Sequence, residues 1–145
     1  MIMAVKYYTE ECDYRLPEKM RTARWLRAVA ESEGFRLGAM NYIFCGSDHH
    51  RAMNVQYVGH DYYTDIITFD YTDYERRVAS GDVFIDPETV EDNAHTLGTD
   101  PREEIYRVVV HGLLHLCGYK DKTPDEEALM HATEDKYLAL RKTIE

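Results

Sequence analysis

Two histidines stand four residues apart in HGLLHLCGYKD, residues 111–121, and the stretch closes on a glycine, Gly118, and a carboxylate, Asp121. Residues at i and i+4 of a helix share one face, one turn apart, so His111 and His115 aim their imidazoles at one spot. Ile105, Val108, Val109, Val110, Leu113, Leu114 and Leu116 leave that helix almost no polar face, which predicts that it is buried. A buried imidazole needs a partner, and one metal ion would serve both rings. Gly118 can take the left-handed conformation that ends a helix, folding the chain back so that Asp121 lies near the histidines. Two neutral nitrogens and one carboxylate oxygen are ordinary zinc ligands, and three protein ligands leave a fourth place for water, the pattern of a catalytic site.

A bare H-x-x-x-H is more often satisfied by core hydrogen bonds than by a metal; Gly118 and Asp121 are what favour one zinc ion per chain. His49, His50, His60, His95 and His131 have no such context and read as surface or core residues. The spacing H-x-x-x-H-x-x-G-x-x-D also fits a class of zinc proteases, but that mechanism needs a glutamate directly after the first histidine. Gly112 stands there.

The elements that must position these side chains can be read along the chain. RLPEKMRTARWLRAVAESEGFR has proline near a first turn, Met20, Ala23, Trp25, Leu26 and Val29 at mostly helical spacing, and a stop at Gly34. AMNYIFCGS reads as a strand, followed by a short helix or turn through DHHRAMNVQYV; DIITFDY and ASGDVFID read as two strands joined by the exposed TDYERRV. Three helices follow, over PETVEDNAHTLGTD, DPREEIYRVVVHGLLHLCG and TPDEEALMHATEDKYLALRKT. Asp100 caps the second ahead of Pro101, and Thr123 caps the third ahead of Pro124. Leu129, Ala132, Leu138 and Leu140 are the expected apolar face of the last. Strands early and helices late predict an α+β fold, a small sheet covered by helices with a single metal site at the end of a buried helix.

The 145 residues suit one domain, 1–145, and the composition, 44% hydrophobic and 30% charged, is globular. The amino terminus is too acidic and too briefly apolar for a secretory leader, and no stretch is long enough to span a bilayer. Three widely spaced cysteines, Cys12, Cys45 and Cys117, argue for a reducing compartment, so the expected location is cytoplasmic. A net charge of −10 opposes a polyanionic partner on average. The exception is Arg15 to Arg36, where six basic residues face three glutamates. Such a run is ordinarily a solvated helix face.

HGLLHLCGYKD resembles the H-G-x-L-H-L-x-G-Y-D-H signature of the YbeY family of bacterial endoribonucleases, which mature ribosomal RNA and act in ribosome quality control. MNVQYVGHDYYTDIITF is similar to that family's L-N-x-x-Y-R-x-x-D-x-x-T-D-V-L-S-F, and GDVFID to its G-D-I-x-I strand. The resemblance implies a small mixed sheet packed with helices around one zinc, held here by His111, His115 and Asp121. It implies a metal-dependent, single-strand-specific endoribonuclease, a hydrolase of phosphoester bonds acting at the 3′ end of 16S ribosomal RNA, with the small ribosomal subunit as partner and no membrane. Asp65 is the candidate catalytic residue by resemblance, with a turn or strand-end role as the alternative.

RNA would take its positive contacts from the Pro17–Gly34 helix, chiefly Arg21 and Arg24, with stacking on tyrosines such as Tyr62 and Tyr63. Two departures matter. Asp121 stands where the family usually has histidine, and its charge would make a bound water less acidic. Val58 stands where the family has an arginine, which removes a phosphate contact. The other readings are a zinc-stabilised, ribosome-associated binding module without catalysis and, more distantly, a zinc protease.

Overall fold

A computed structural model describes residues 5–59 and 64–145. Four strands form one mixed sheet in the order β1-β2-β4-β3, with β1 Val5–Glu10, β2 Arg36–Cys45, β3 Ile66–Asp70 and β4 Val78–Ile85. β1, β2 and β4 are parallel, and β3 returns antiparallel to β4 as a hairpin partner. The helices are α1 Lys19–Ser32, α2 Ser47–Met53, a π-helical turn over Asn54–Val58, α3 Pro87–Leu97, α4 Pro101–Leu116 and α5 Pro124–Arg141. No helix among the described residues is long and apolar enough to cross a membrane.

Strand alternation decides where the core lies. Met40, Tyr42 and Phe44 of β2 pair with Gly81, Val83 and Ile85 of β4, and this face is buried beneath helices. α4 lies directly on it, and the Tyr42 hydroxyl donates to the Val109 carbonyl at 2.9 Å. Gly112 permits the approach, because a Cβ there would stand 2.9 Å from Val83 Cγ1. α1 packs alongside through Trp25, Leu26 and Val29, all fully buried, and the Trp25 indole donates to the Tyr137 carbonyl of α5 at 2.7 Å. On the other face Phe84, Phe69 and Tyr57 meet edge to face.

Four sequence expectations are corrected. β1 was not anticipated; Val5 alone of its six residues is buried, so alternation along it is weak. β2 begins three residues before the apolar segment, at the exposed Arg36, because pairing with β4 extends it across a register shift between Leu37 and Met40. α1 starts at Lys19 rather than at Pro17, since Glu18 sits in the left-handed region (φ 54) and the helix begins after it. The buried face of α5 is Met130, Thr133, Glu134, Tyr137 and Arg141, while Leu129 is 59% exposed and Ala132 is exposed. The polar members of that face have partners that make burial tolerable. Glu134 meets Arg107 and His111, and the Arg141 guanidinium lies over the Tyr106 ring, 3.5 Å from its centroid.

The helix starts follow the sequence closely. Asp100 accepts from the Arg102 amide, and Thr123 with Glu126 forms a reciprocal capping box. Thr123→Ala is expected to cost about 1 kcal/mol in urea unfolding by orphaning the Glu126 amide. A loss indistinguishable from zero would mean the cap contributes nothing to stability.

Candidate metal centre and its cleft

α4 ends where the sequence predicts. Gly118 adopts φ 99, its amide bonds the His115 carbonyl at 3.0 Å, and the Tyr119 amide bonds Leu114 at 3.0 Å. This pair of bonds is a Schellman turn. The reversed chain carries Asp121 back over the helix end, where its Oδ2 lies 3.3 Å from His111 Nε2 and 3.3 Å from His115 Nε2. The two rings are nearly perpendicular, with centroids 4.6 Å apart.

The opposite nitrogens are held. His111 Nδ1 lies 2.6 Å from Glu134 Oε2, and His115 Nδ1 lies 3.0 Å from the Tyr119 carbonyl. Both acceptors require a proton on Nδ1, which leaves the Nε2 lone pair of each ring free to bind a cation beside Asp121 Oδ2. Burial alone would lower His111, but the hydrogen bond and charge of Glu134, together with Asp121 and Asp65, outweigh it and raise the ring above its ordinary value. The donor set and its supports therefore fit a divalent cation, which must displace any proton on Nε2, so affinity falls in acid.

The group opens into a cleft of about 780 Å³ whose lining includes Asp65, Thr68, Arg107 and Lys122 beside the three candidate ligands. The chain matches the sequence profile described as Endoribonuclease YbeY over residues 7–142. It is 46% identical over 138 residues to the Endoribonuclease YbeY of Parabacteroides distasonis, covering 95% of this chain and 96% of that one. It is 47% identical over 139 residues to that of Bacteroides thetaiotaomicron, covering 96% and 100%.

The chain belongs to the YbeY endoribonuclease family. An endoribonuclease role, with RNA as the substrate class, follows from that membership. The fold agrees: the solution structure of TM1509 from Thermotoga maritima superposes with a TM-score of 0.65 at 26% identity, covering 92% of this chain and 87% of that one.

Within this YbeY fold the other sequence-derived candidates separate. Asp65 lies just before β3, lines the same cleft, and feels the charge of His111; burial raises its carboxyl, opposed first by that histidine. Arg21 and Arg24 do not line the cleft. Arg21 donates to the carbonyls of Ile144 and Arg141, and Arg24 to that of Glu145. Val58 forms part of the cleft wall. Tyr62, Tyr63 and His60 lie outside the described residues. His50 is buried against the Phe84 carbonyl, while His49, His95 and His131 lie near carboxylates. Position 112, where a zinc protease has its glutamate, is not in the cleft lining, and a Cβ there would meet Val83 of β4 at 2.9 Å.

Glu134 and Arg107 escaped the sequence reading. Arg107 Nη1 lies 2.9 Å from Glu134 Oε1, and its other terminal nitrogen pairs with Asp135, so the carboxylate supporting His111 is itself held from behind. The signal was present: Met130, Glu134 and Tyr137 share one stripe, and an acid on a buried stripe needs a reason. Glu134→Ala is expected to weaken cation binding by roughly 10–100-fold, the usual loss when such a support is removed. Competition titration with a chelator measures it, and an unchanged affinity would show that His111 is oriented by something else.

Proposed function

We propose that this chain is a zinc-dependent, single-strand-specific endoribonuclease of the cytoplasm. In this reading it folds as one domain over residues 1–145 and acts in 16S ribosomal RNA 3′-end maturation and ribosome quality control on the small subunit. The observation that carries the reading is the convergence of two Nε2 atoms on Asp121 Oδ2 at an open cleft, in a chain of the YbeY family. Zinc held there would acidify a water ligand and polarise a phosphoryl oxygen.

The protein's own residues would do the rest. Asp65 would accept a proton from an attacking nucleophile, a role supported by its raised carboxyl and its position in the cleft lining. Arg107 and Lys122 are the basic side chains of the lining and would meet the RNA backbone, in place of the arginine missing at Val58. Tyr57, 59% exposed and adjacent to Val58, offers a ring on which an unpaired base could stack, which favours single strands over duplex. The basic face of α1, with Arg21 and Arg24, is a secondary backbone contact in this reading. Reversing both to glutamate should lower RNA affinity and flatten its salt dependence, with thermal stability followed because the same guanidiniums hold the carboxy-terminal carbonyls.

The deciding experiment incubates the zinc-loaded protein with a 16S 3′-end precursor, once single-stranded and once annealed to a complementary strand. Cleavage of the first only, lost on chelation and restored by zinc, is the expected result. Binding without cleavage would favour the binding module, and cleavage that survives chelation would remove the metal from the reading.

A further inference from the structure

A second group of donors converges at the far ends of the parallel strands. β1 and β2 are in register so that their last residues, Glu10 and Cys45, are paired. α2 begins two residues after Cys45 and brings His49 to the same place. One donor atom each from Glu10, Cys45 and His49 lies within 4.8 Å of the others, and Glu10 Oε2 is 3.5 Å from His49 Nε2. Gly46 allows the close turn: a Cβ there would lie 2.4 Å from the Glu11 carbonyl oxygen.

The Cys45 thiol is buried and donates to the Ile43 carbonyl at 3.7 Å, a weak thiol hydrogen bond. Its surroundings are anionic. Burial, then Glu10, Cys12 and Asp86, push the thiol up to about 12. The adjoining surface depression carries the carboxylates of Glu11, Asp48, Glu88 and Asp92 and, among the described residues, no lysine or arginine in its lining.

We propose that Glu10, Cys45 and His49 form a second divalent-cation site, selective for zinc-type ions over magnesium and calcium, that ties the edge strand β1 to β2 and α2. Zinc bonds of about 2.0–2.3 Å put tetrahedral ligands roughly 3.3–3.8 Å apart, so side-chain rotation of about 1 Å closes the group around an ion. A thiolate with an imidazole and a carboxylate selects for zinc, cobalt or nickel rather than for hard cations. On binding, the Cys45 S–H bond breaks, the Sγ–metal bond forms, and the proton leaves to solvent. A fourth ligand would be water, and His49 is shared between the group and the depression. Among the described residues β1 is an outer strand of the sheet, paired only with β2, so a cross-link at its end acts where the sheet is least held.

The test is a cobalt titration of the metal-stripped full chain under reducing conditions. The His111, His115 and Asp121 group offers only nitrogen and oxygen donors. Thiolate-to-cobalt charge-transfer absorption in the near ultraviolet would therefore report the second site alone. Two equivalents of cobalt with that band are expected. A His111→Ala/His115→Ala double variant should lose one equivalent and keep the band. His49→Ala, with its side chain 34% exposed, should lose the band or weaken the second equivalent by roughly tenfold or more. Cys45→Ser should lose it outright, and His49→Ala with Glu10→Gln keeps the test intact if the buried cysteine variant misfolds. One equivalent without a thiolate band, or a band that persists in both His49→Ala and Glu10→Gln, overturns the proposal. None of these readouts depends on RNA cleavage.

Discussion

Asp121→Ala is expected to release the cation from the α4 site and reduce RNA cleavage to near background, whereas Asp121→His retains both. Asp121 Oδ2 is the point on which both Nε2 atoms converge, and no other carboxylate is recorded within reach of the two rings together among the described residues. Removing a ligand should cost more than the roughly 10–100-fold lost when only its support is removed. A third imidazole keeps the donor count while giving less charge to the ion, so the pH profile of cleavage in Asp121→His should move to lower pH. Metal content by elemental analysis and cleavage of single-stranded RNA are read on the same preparations. If both substitutions change metal content and thermal stability while cleavage stays at background in every protein, including the parent, the chain is a binding module. Cleavage that survives Asp121→Ala together with metal removal would discard the assignment of the site.

Gly112→Glu, which restores the residue a zinc protease would use, is expected to destabilise the fold by about 3–5 kcal/mol and to create no peptidase. Its Cβ alone would meet Val83 Cγ1 at 2.9 Å and Cγ2 at 3.2 Å, and the carboxylate would be driven between α4 and the sheet. An unpaired charge buried there has the cost of desolvation without a counter-ion, the source of the expected 3–5 kcal/mol or so. Gly112→Ala is the control: it adds the overlap, about 1–3 kcal/mol, offset by up to about 1 kcal/mol of helix propensity. Urea midpoints of the three proteins measure the difference. A glutamate variant within about 1 kcal/mol of the parent would show that α4 can lift from the sheet, and the buried position of the site helix would need revision.

What was legible in the sequence is what short-range geometry determines. The i, i+4 pair, the left-handed glycine and the aspartate three residues beyond it are related by one helix end, so the grouping of His111, His115 and Asp121 depends on no tertiary contact. The caps at Asp100 and Thr123 are local in the same way, and so was the β3–β4 hairpin suggested by two strands around a charged loop. The signature in the same stretch carried the family as well.

Long-range packing alone decided the rest. Glu134 reaches His111 across 23 residues because α5 lies against α4, and nothing in the spacing of either helix specifies which faces meet. The apolar stripe of α5 was misplaced for the same reason: a buried face can be partly polar when its partners sit on another element, as Arg107 does for Glu134. Arg21 and Arg24 read as a free basic surface until the fold brought carbonyls 120 and more residues away onto their guanidiniums. Glu10, Cys45 and His49 looked unrelated because their proximity follows from the parallel register of β1 on β2. Local sequence determined which donors a single turn could present, since backbone geometry relates residues a few positions apart. Tertiary structure decided what stands behind those donors, because side-chain supports are chosen by the packing of whole elements.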